Sequence, residues 1–111
     1  MIKMNTISMY DANDFTENIT IENTLYKLHF GWNGISWSMD IRDSSGNNIV
    51  CDIVLVPNYP LLFQHQRHIA IKGQILAVRN DNKTSIGRDD FVNKKATLVY
   101  MSEVDLKNAV A

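Results

Sequence analysis

Cysteine is almost missing from this chain. Cys51 is the only one among 111 residues, which excludes an intrachain disulfide framework and a four-cysteine zinc site. Proline is equally scarce, with Pro57 and Pro60 confined to one short stretch. No segment approaches the ~20 consecutive apolar residues of a membrane-spanning helix. Neither sign of charge is in excess, since 11 Lys and Arg stand against 12 Asp and Glu for a net charge of −1. Nucleic-acid binding by counterion release needs clustered cations. The densest basic spot here is Lys94-Lys95, closely preceded by Asp89-Asp90. Met1 to Thr6 lacks the apolar core of a secretory signal, so folding in the cytoplasm is expected. Phosphate-binding loops, dinucleotide fingerprints and nucleophile elbows are all missing.

What remains is an ordinary globular composition, 45% hydrophobic. At this length it fits one domain with one core and argues against disorder. Asparagines fall mostly where the apolar pattern breaks, as turn chemistry requires. Residues 1–14 show no sustained alternation and read as an N-terminal arm. Phe15, Ile19 and Ile21 share a parity, which predicts a first strand near 15–22, closed by a turn at Glu22-Asn23-Thr24.

The clearest signal is Asn33-Gly34, a favoured pair for a two-residue type I′ hairpin. With those two as the loop, Phe30 faces Trp37, Leu28 faces Met39 and Tyr26 faces Ile41 on one apolar face. His29 meets Ser38, and Lys27 meets Asp40, on the polar face. A second hairpin follows, in which Ser44, Ser45 and Gly46 form a three-residue loop. It sets Ile41 against Ile49, Met39 against Cys51 and Trp37 against Ile53. The result is a three-stranded antiparallel meander over about 25–32, 35–43 and 47–56. Its last strand is apolar on both faces apart from Asp52, the pattern of a strand covered on both sides.

Pro57 ends that strand, because proline cannot donate to a ladder. Pro60 to Arg67 is the one interior helix candidate, with Pro60 at its first position. Strands are expected at 74–78 and 96–101, with a turn at Asn80 to Lys83. The chain therefore reads as all-β: a small antiparallel sandwich or partly closed barrel built around the meander, with at most one short helix. The body is 15–102, flanked by the arm and a C-terminal tail at 103–111.

Candidates for chemistry are few. His65 and His68 would share a helical face, yet no third ligand stands nearby in sequence. Cys51 falls opposite Met39 on the apolar face and reads as a small hydrophobe. Asp40, Asp43 and Asp52 read as surface pairing and turn residues rather than an acid–base pair, and His29 reads as surface. Tyr26, Phe30 and Trp37 would stack bases or sugars only if exposed, which keeps a small ligand-binding barrel as the alternative. No catalytic, cofactor-binding or metal-binding residue is assigned.

The run Tyr26-Lys27-Leu28-His29-Phe30-Gly31-Trp32-Asn33, then Trp37 to Asp43 with Gly46, then Leu55-Val56 and Leu98-Val99-Tyr100, resembles the baseplate plug proteins of contractile-tailed phages, of the kind described in a cyanophage. The resemblance spans about residues 15–102. It implies a virion structural protein at the tail baseplate, near tube, hub and wedge proteins. It also implies a symmetric homo-oligomer without catalytic residues or cofactors.

Overall fold

A computed structural model describes residues 4–65 and 69–104. Two antiparallel sheets share one core. The larger sheet is a meander in chain order: β2 (Asp14–Ile21), β3 (Thr24–Trp32), β4 (Trp37–Asp43) and β5 (Asn48–Val54). The smaller has the order β1-β7-β6, from β1 (Met4–Ile7), β6 (Gln74–Arg79) and β7 (Ala96–Met101). The sheets do not close on each other, so of the two expected architectures the sandwich is the one formed. Met4–Ile7 lies within the segment read as an arm, yet it pairs with Leu98 to Met101. Alternation over four residues is too short to register as a strand, and β7 supplies the partner from the far end of the chain.

The inward row runs through Leu28, Phe30, Trp37, Met39 and Ile41, all fully buried. Ile75, Ala77, Leu98 and Tyr100 cover it from the other sheet. Phe15, Trp32 and Trp37 form an aromatic group with centroids 5.7–6.0 Å from Trp37. The Arg88 guanidinium lies 5.6 Å from the centre of the Trp37 ring.

The β3–β4 register differs from expectation by two residues. Phe30 pairs with Met39, Leu28 with Ile41, and Trp32 with Trp37. The loop is Gly34-Ile35 rather than Asn33-Gly34. Gly34 alone takes a positive φ, 96°, at the first central position where type II′ turns place glycine. The Asn33 side chain accepts the backbone N–H groups of Ile35 and Ser36 at 2.9 and 2.8 Å. Asn33 thus stabilises the turn from outside its centre. A shift of two preserves every residue's face, so the apolar sorting does not distinguish the two registers.

The β4–β5 hairpin begins as expected, with Gly46 at φ 92° and Asp43 accepting the Ser45 and Asn47 amides at 2.9 Å each. Two register shifts then intervene. Asp52 adopts φ 61°, Met39 pairs with Ile53 instead of Cys51, and Cys51 is exposed. The bulges convert strict alternation into an inward Val50 and Ile53 separated by two exposed residues. Covering of both faces is also not observed: Val54 and Val56 remain exposed beside the buried Ile53 and Leu55.

The true double positive-φ hairpin loop is Glu22-Asn23, at 53° and 67°, joining Ile21 to Thr24. Glutamate is a costly residue in that conformation. Its carboxylate repays the strain by bridging the sheets, accepting from the Lys72 and Gly73 amides at 2.8–3.0 Å and from the Tyr100 hydroxyl. Burial pushes the Glu22 carboxyl up, but these donors outweigh it and hold it below its ordinary value. Gly73 is obligatory there, because a Cβ would lie 2.2 Å from the Met101 carbonyl oxygen.

The interior helix candidate shrinks to a 3₁₀ turn at Phe63–His65. Its i→i+3 bonds run from Phe63 N–H to Pro60 at 3.1 Å and from His65 N–H to Leu62 at 2.9 Å. Leu61 and Leu62 instead anchor the crossover from β5 to β6. The Leu61 amide donates to Ile75, and the Leu62 amide donates to the buried Gln74 side chain at 3.0 Å.

Two stability outcomes follow. Trp37→Ala should cost on the order of 3–5 kcal/mol by chemical denaturation, as for large aromatic deletions in cores; a loss under about 1 kcal/mol would show that the ring is not a core element. Glu22→Ala removes the inter-sheet bridge while leaving a side chain at positive φ. Because Glu22 is partly solvated, the expected loss is roughly 1 kcal/mol, and Asn23→Gly on the same turn should not reproduce it.

Candidate functional site

The outer face of the larger sheet carries a polar row that crosses all four strands. His29 on β3 lies between two carboxylates. Its Nδ1 is 2.9 Å from Asp40 Oδ2 on β4, and its Nε2 is 2.8 Å from Asp14 Oδ1 on β2. The other Asp40 oxygen accepts the Asp52 amide of β5 at 2.8 Å. Asp40 therefore holds the bulge that sets the β5 register. Arg42 approaches the same carboxylate at 3.6 Å. The expected Lys27–Asp40 pair is not formed, since the two-residue shift places Arg42 opposite Lys27 and Asp40 opposite His29. The reading of His29 as plain surface likewise yields to a half-buried ring with both nitrogens engaged.

Ionised carboxylates only accept, so satisfying both contacts requires the ring to donate from both nitrogens as imidazolium. The Asp40 hydrogen bond raises the His29 pKa above its ordinary value, with Asp14 adding to it against the effect of burial. Burial pushes the Asp40 carboxyl up, but the Asp52 amide and His29 outweigh it and hold it below the usual range. The row has no nucleophile and no open coordination position. Its chemistry is strand fastening.

A second network fixes the β6–β7 connection. The buried Arg79 side chain grips Asp81 through two bonds of 2.6 and 2.9 Å and also donates to Asp90. The Arg79 hydrogen bonds hold the Asp81 carboxyl at about 2. Asp90 in turn accepts the Gly87 amide at 2.6 Å. Arg88 reaches Asp11 at 3.0 Å and Asn13, binding this connection to the segment before β2.

The remaining sequence candidates are dispersed. His65 borders a shallow groove of about 500 Å³ beside β5, with Asp52, Val54, Val56 and Tyr59. His68 lies outside the described residues. Among the described residues no cluster of three or more His, Cys, Asp or Glu is placed to hold a metal. Tyr26, Phe30 and Trp37 are buried, so they form no exposed stacking platform. Sequence reasoning missed the Asp14–His29–Asp40 row because its members pair through register, and the only advance signal was alternation placing His29 and Asp40 on the polar face.

Comparison with protein families matches the chain to the family described as cyanophage baseplate Pam3 plug gp18, over residues 4–103. The chain belongs to this plug family. A search of curated proteins finds no match. Membership in the baseplate plug family makes the protein a structural component of a phage tail baseplate, with other tail proteins as its company. The match begins at the first residue of β1 and ends just past β7, so both sheets lie within it. Among the described residues no helix is long and apolar enough to cross a membrane.

The plug's polar row has a pH signature. A pKa raised in the folded state gives stability that is fully present below the unfolded value, near 6.5, and lost as pH rises through the folded value. The His29 contribution should therefore fade above about pH 6.5. Site-resolved NMR should show His29 titrating above that value, and His29→Gln should flatten the decline of stability with rising pH. Titration of His29 at or below 6.5 would contradict the doubly donating ring.

Proposed function

We propose that this protein is a non-enzymatic plug subunit of a contractile tail baseplate. It binds tube, hub or wedge proteins as part of a symmetric homo-oligomer that is put together in the host cytoplasm. The observation that carries the reading is the family match across 4–103. The surface is consistent with a packed subunit. Val54, Val56, Tyr59 and Phe63 are exposed close together in sequence around the β5 end, and an apolar rim of this kind is common where subunits meet. The polar clusters among the described residues are engaged in fastening strands and loops, which supports a non-catalytic reading. A symmetric assembly also fits the closed point-group symmetry usual among homo-oligomers.

The C-terminal segment 103–111 is the proposed docking tail, since the last strand among the described residues ends at Met101. The N-terminal arm cannot serve independently, because β1 completes the smaller sheet. Deleting 103–111 should leave the melting of the remaining chain nearly unchanged and reduce incorporation into tail particles. Deleting 1–7 should lower the melting temperature itself. Normal incorporation of the tail-deleted form would remove the tail from the docking role, and absence of the full-length protein from purified virions would overturn the baseplate reading.

A further inference from the structure

β2 is an edge strand of the larger sheet and, among the described residues, pairs only with β3. Its inward positions Phe15, Glu17 and Ile19 are half-buried. The residues they face across the ladder, Phe30, Leu28 and Tyr26, are buried. The shared inward face thus loses its cover at its last strand. In the middle of that half-covered stretch stands a carboxylate. Among the described residues Glu17 Oε2 is closed to solvent and has no hydrogen-bond partner, and none of the ion pairs found there includes Glu17. The nearest cation along the neighbouring strand, Lys27, alternates to the other face.

We propose that the Phe15–Glu17–Ile19 face and the free edge of β2 are a docking surface for an extended segment of a neighbouring tail protein, whose arginine or lysine pairs with Glu17. The proposal rests on the baseplate reading above. Charge complementarity names the occupant's central residue, because a carboxylate with one oxygen sealed from water, and no cation beside it among the described residues, is stabilised by one brought from outside. Strand geometry names the rest. A strand added to the β2 edge presents alternate residues to the same face, so the cation is flanked two positions away on each side by apolar residues that lie beside Phe15 and Ile19. No strand of this chain has that pattern: Lys27 lies between Leu25 and His29, Arg42 between Asp40 and Ser44, and Arg79 between Ala77 and Asp81. The proposed occupant is accordingly a different protein, and a second copy is an outcome that the test distinguishes.

An inward-pointing charge also deters unwanted edge pairing. That role needs only a hydrated carboxylate, whereas here one oxygen is sealed. Burial raises the Glu17 pKa, as expected of an acid whose counter-charge has yet to arrive.

The test uses tail particles produced without this gene, supplemented with purified full-length protein. Wild type should incorporate. Glu17→Gln should melt at or above the wild-type temperature yet incorporate poorly, and Glu17→Lys should incorporate less still. Thr16→Lys, on the opposite face of the same strand, should incorporate normally. Normal incorporation of Glu17→Gln overturns the proposal while leaving the baseplate reading intact, and so does an equal loss with Thr16→Lys. Self-association of the purified wild type that Glu17→Gln abolishes would give the surface to a second copy, which also overturns it. Failure of the wild type to enter particles overturns the baseplate reading together with the proposal.

Discussion

Four strands packed on three leave one strand short of cover, and much of this molecule follows from that mismatch. The core is deepest along β3 and β4, where Leu28, Phe30, Met39 and Ile41 lose all contact with water. Each large side chain buried there contributes about 1.5–3 kcal/mol, against the entropy of ordering the chain around it. Cover thins toward both edges of the larger sheet. At β5 it fails through bulges that turn Cys51 and Val54 outward. At β2 it fails through overhang, leaving Phe15, Glu17 and Ile19 half covered.

Two sheets of unequal width also need fastening beyond apolar contact. Glu22 provides it at one corner, crossing from the β2–β3 turn to the start of β6 and to Tyr100 on β7. Arg88 provides it at another, joining the β6–β7 connection to Asp11 and to the Trp37 face. Within the larger sheet the Asp14–His29–Asp40–Asp52 row ties all four strands edge to edge. These charged groups thus fasten strands and loops to one another, as suits a structural component of the baseplate plug family.

How much of this was legible in the sequence depended on which physical rule was in force. Period-two alternation correctly sorted Tyr26, Leu28, Phe30, Trp37, Met39 and Ile41 onto one face, because burial enforces that sorting. It left the β3–β4 register open by two residues. The Asn-Gly pattern predicts positive φ at Asn33, whereas its side chain acts as an acceptor for the following amides. The β5 bulges were illegible for a different reason: they depend on Asp40 reaching the Asp52 amide across a strand. A long-range contact of that kind has no local spacing. The same holds for β1, whose partner lies more than ninety residues away, and for Glu22, whose acceptor role appears only once both sheets are placed. The family was readable from the hairpin run because those residues are where local pattern and tertiary burial agree.

The docking proposed for this plug falls on the open rim of the sandwich at β2 rather than in a pocket. Hydrogen–deuterium exchange compared between the free protein and the protein within tail particles tests this most directly. The account predicts that amides of the edge strand β2 gain protection on assembly, while β3, β4 and β7, already interior to their sheets, change little. Exchange at β2 that stays as fast in particles as in the free protein would contradict it.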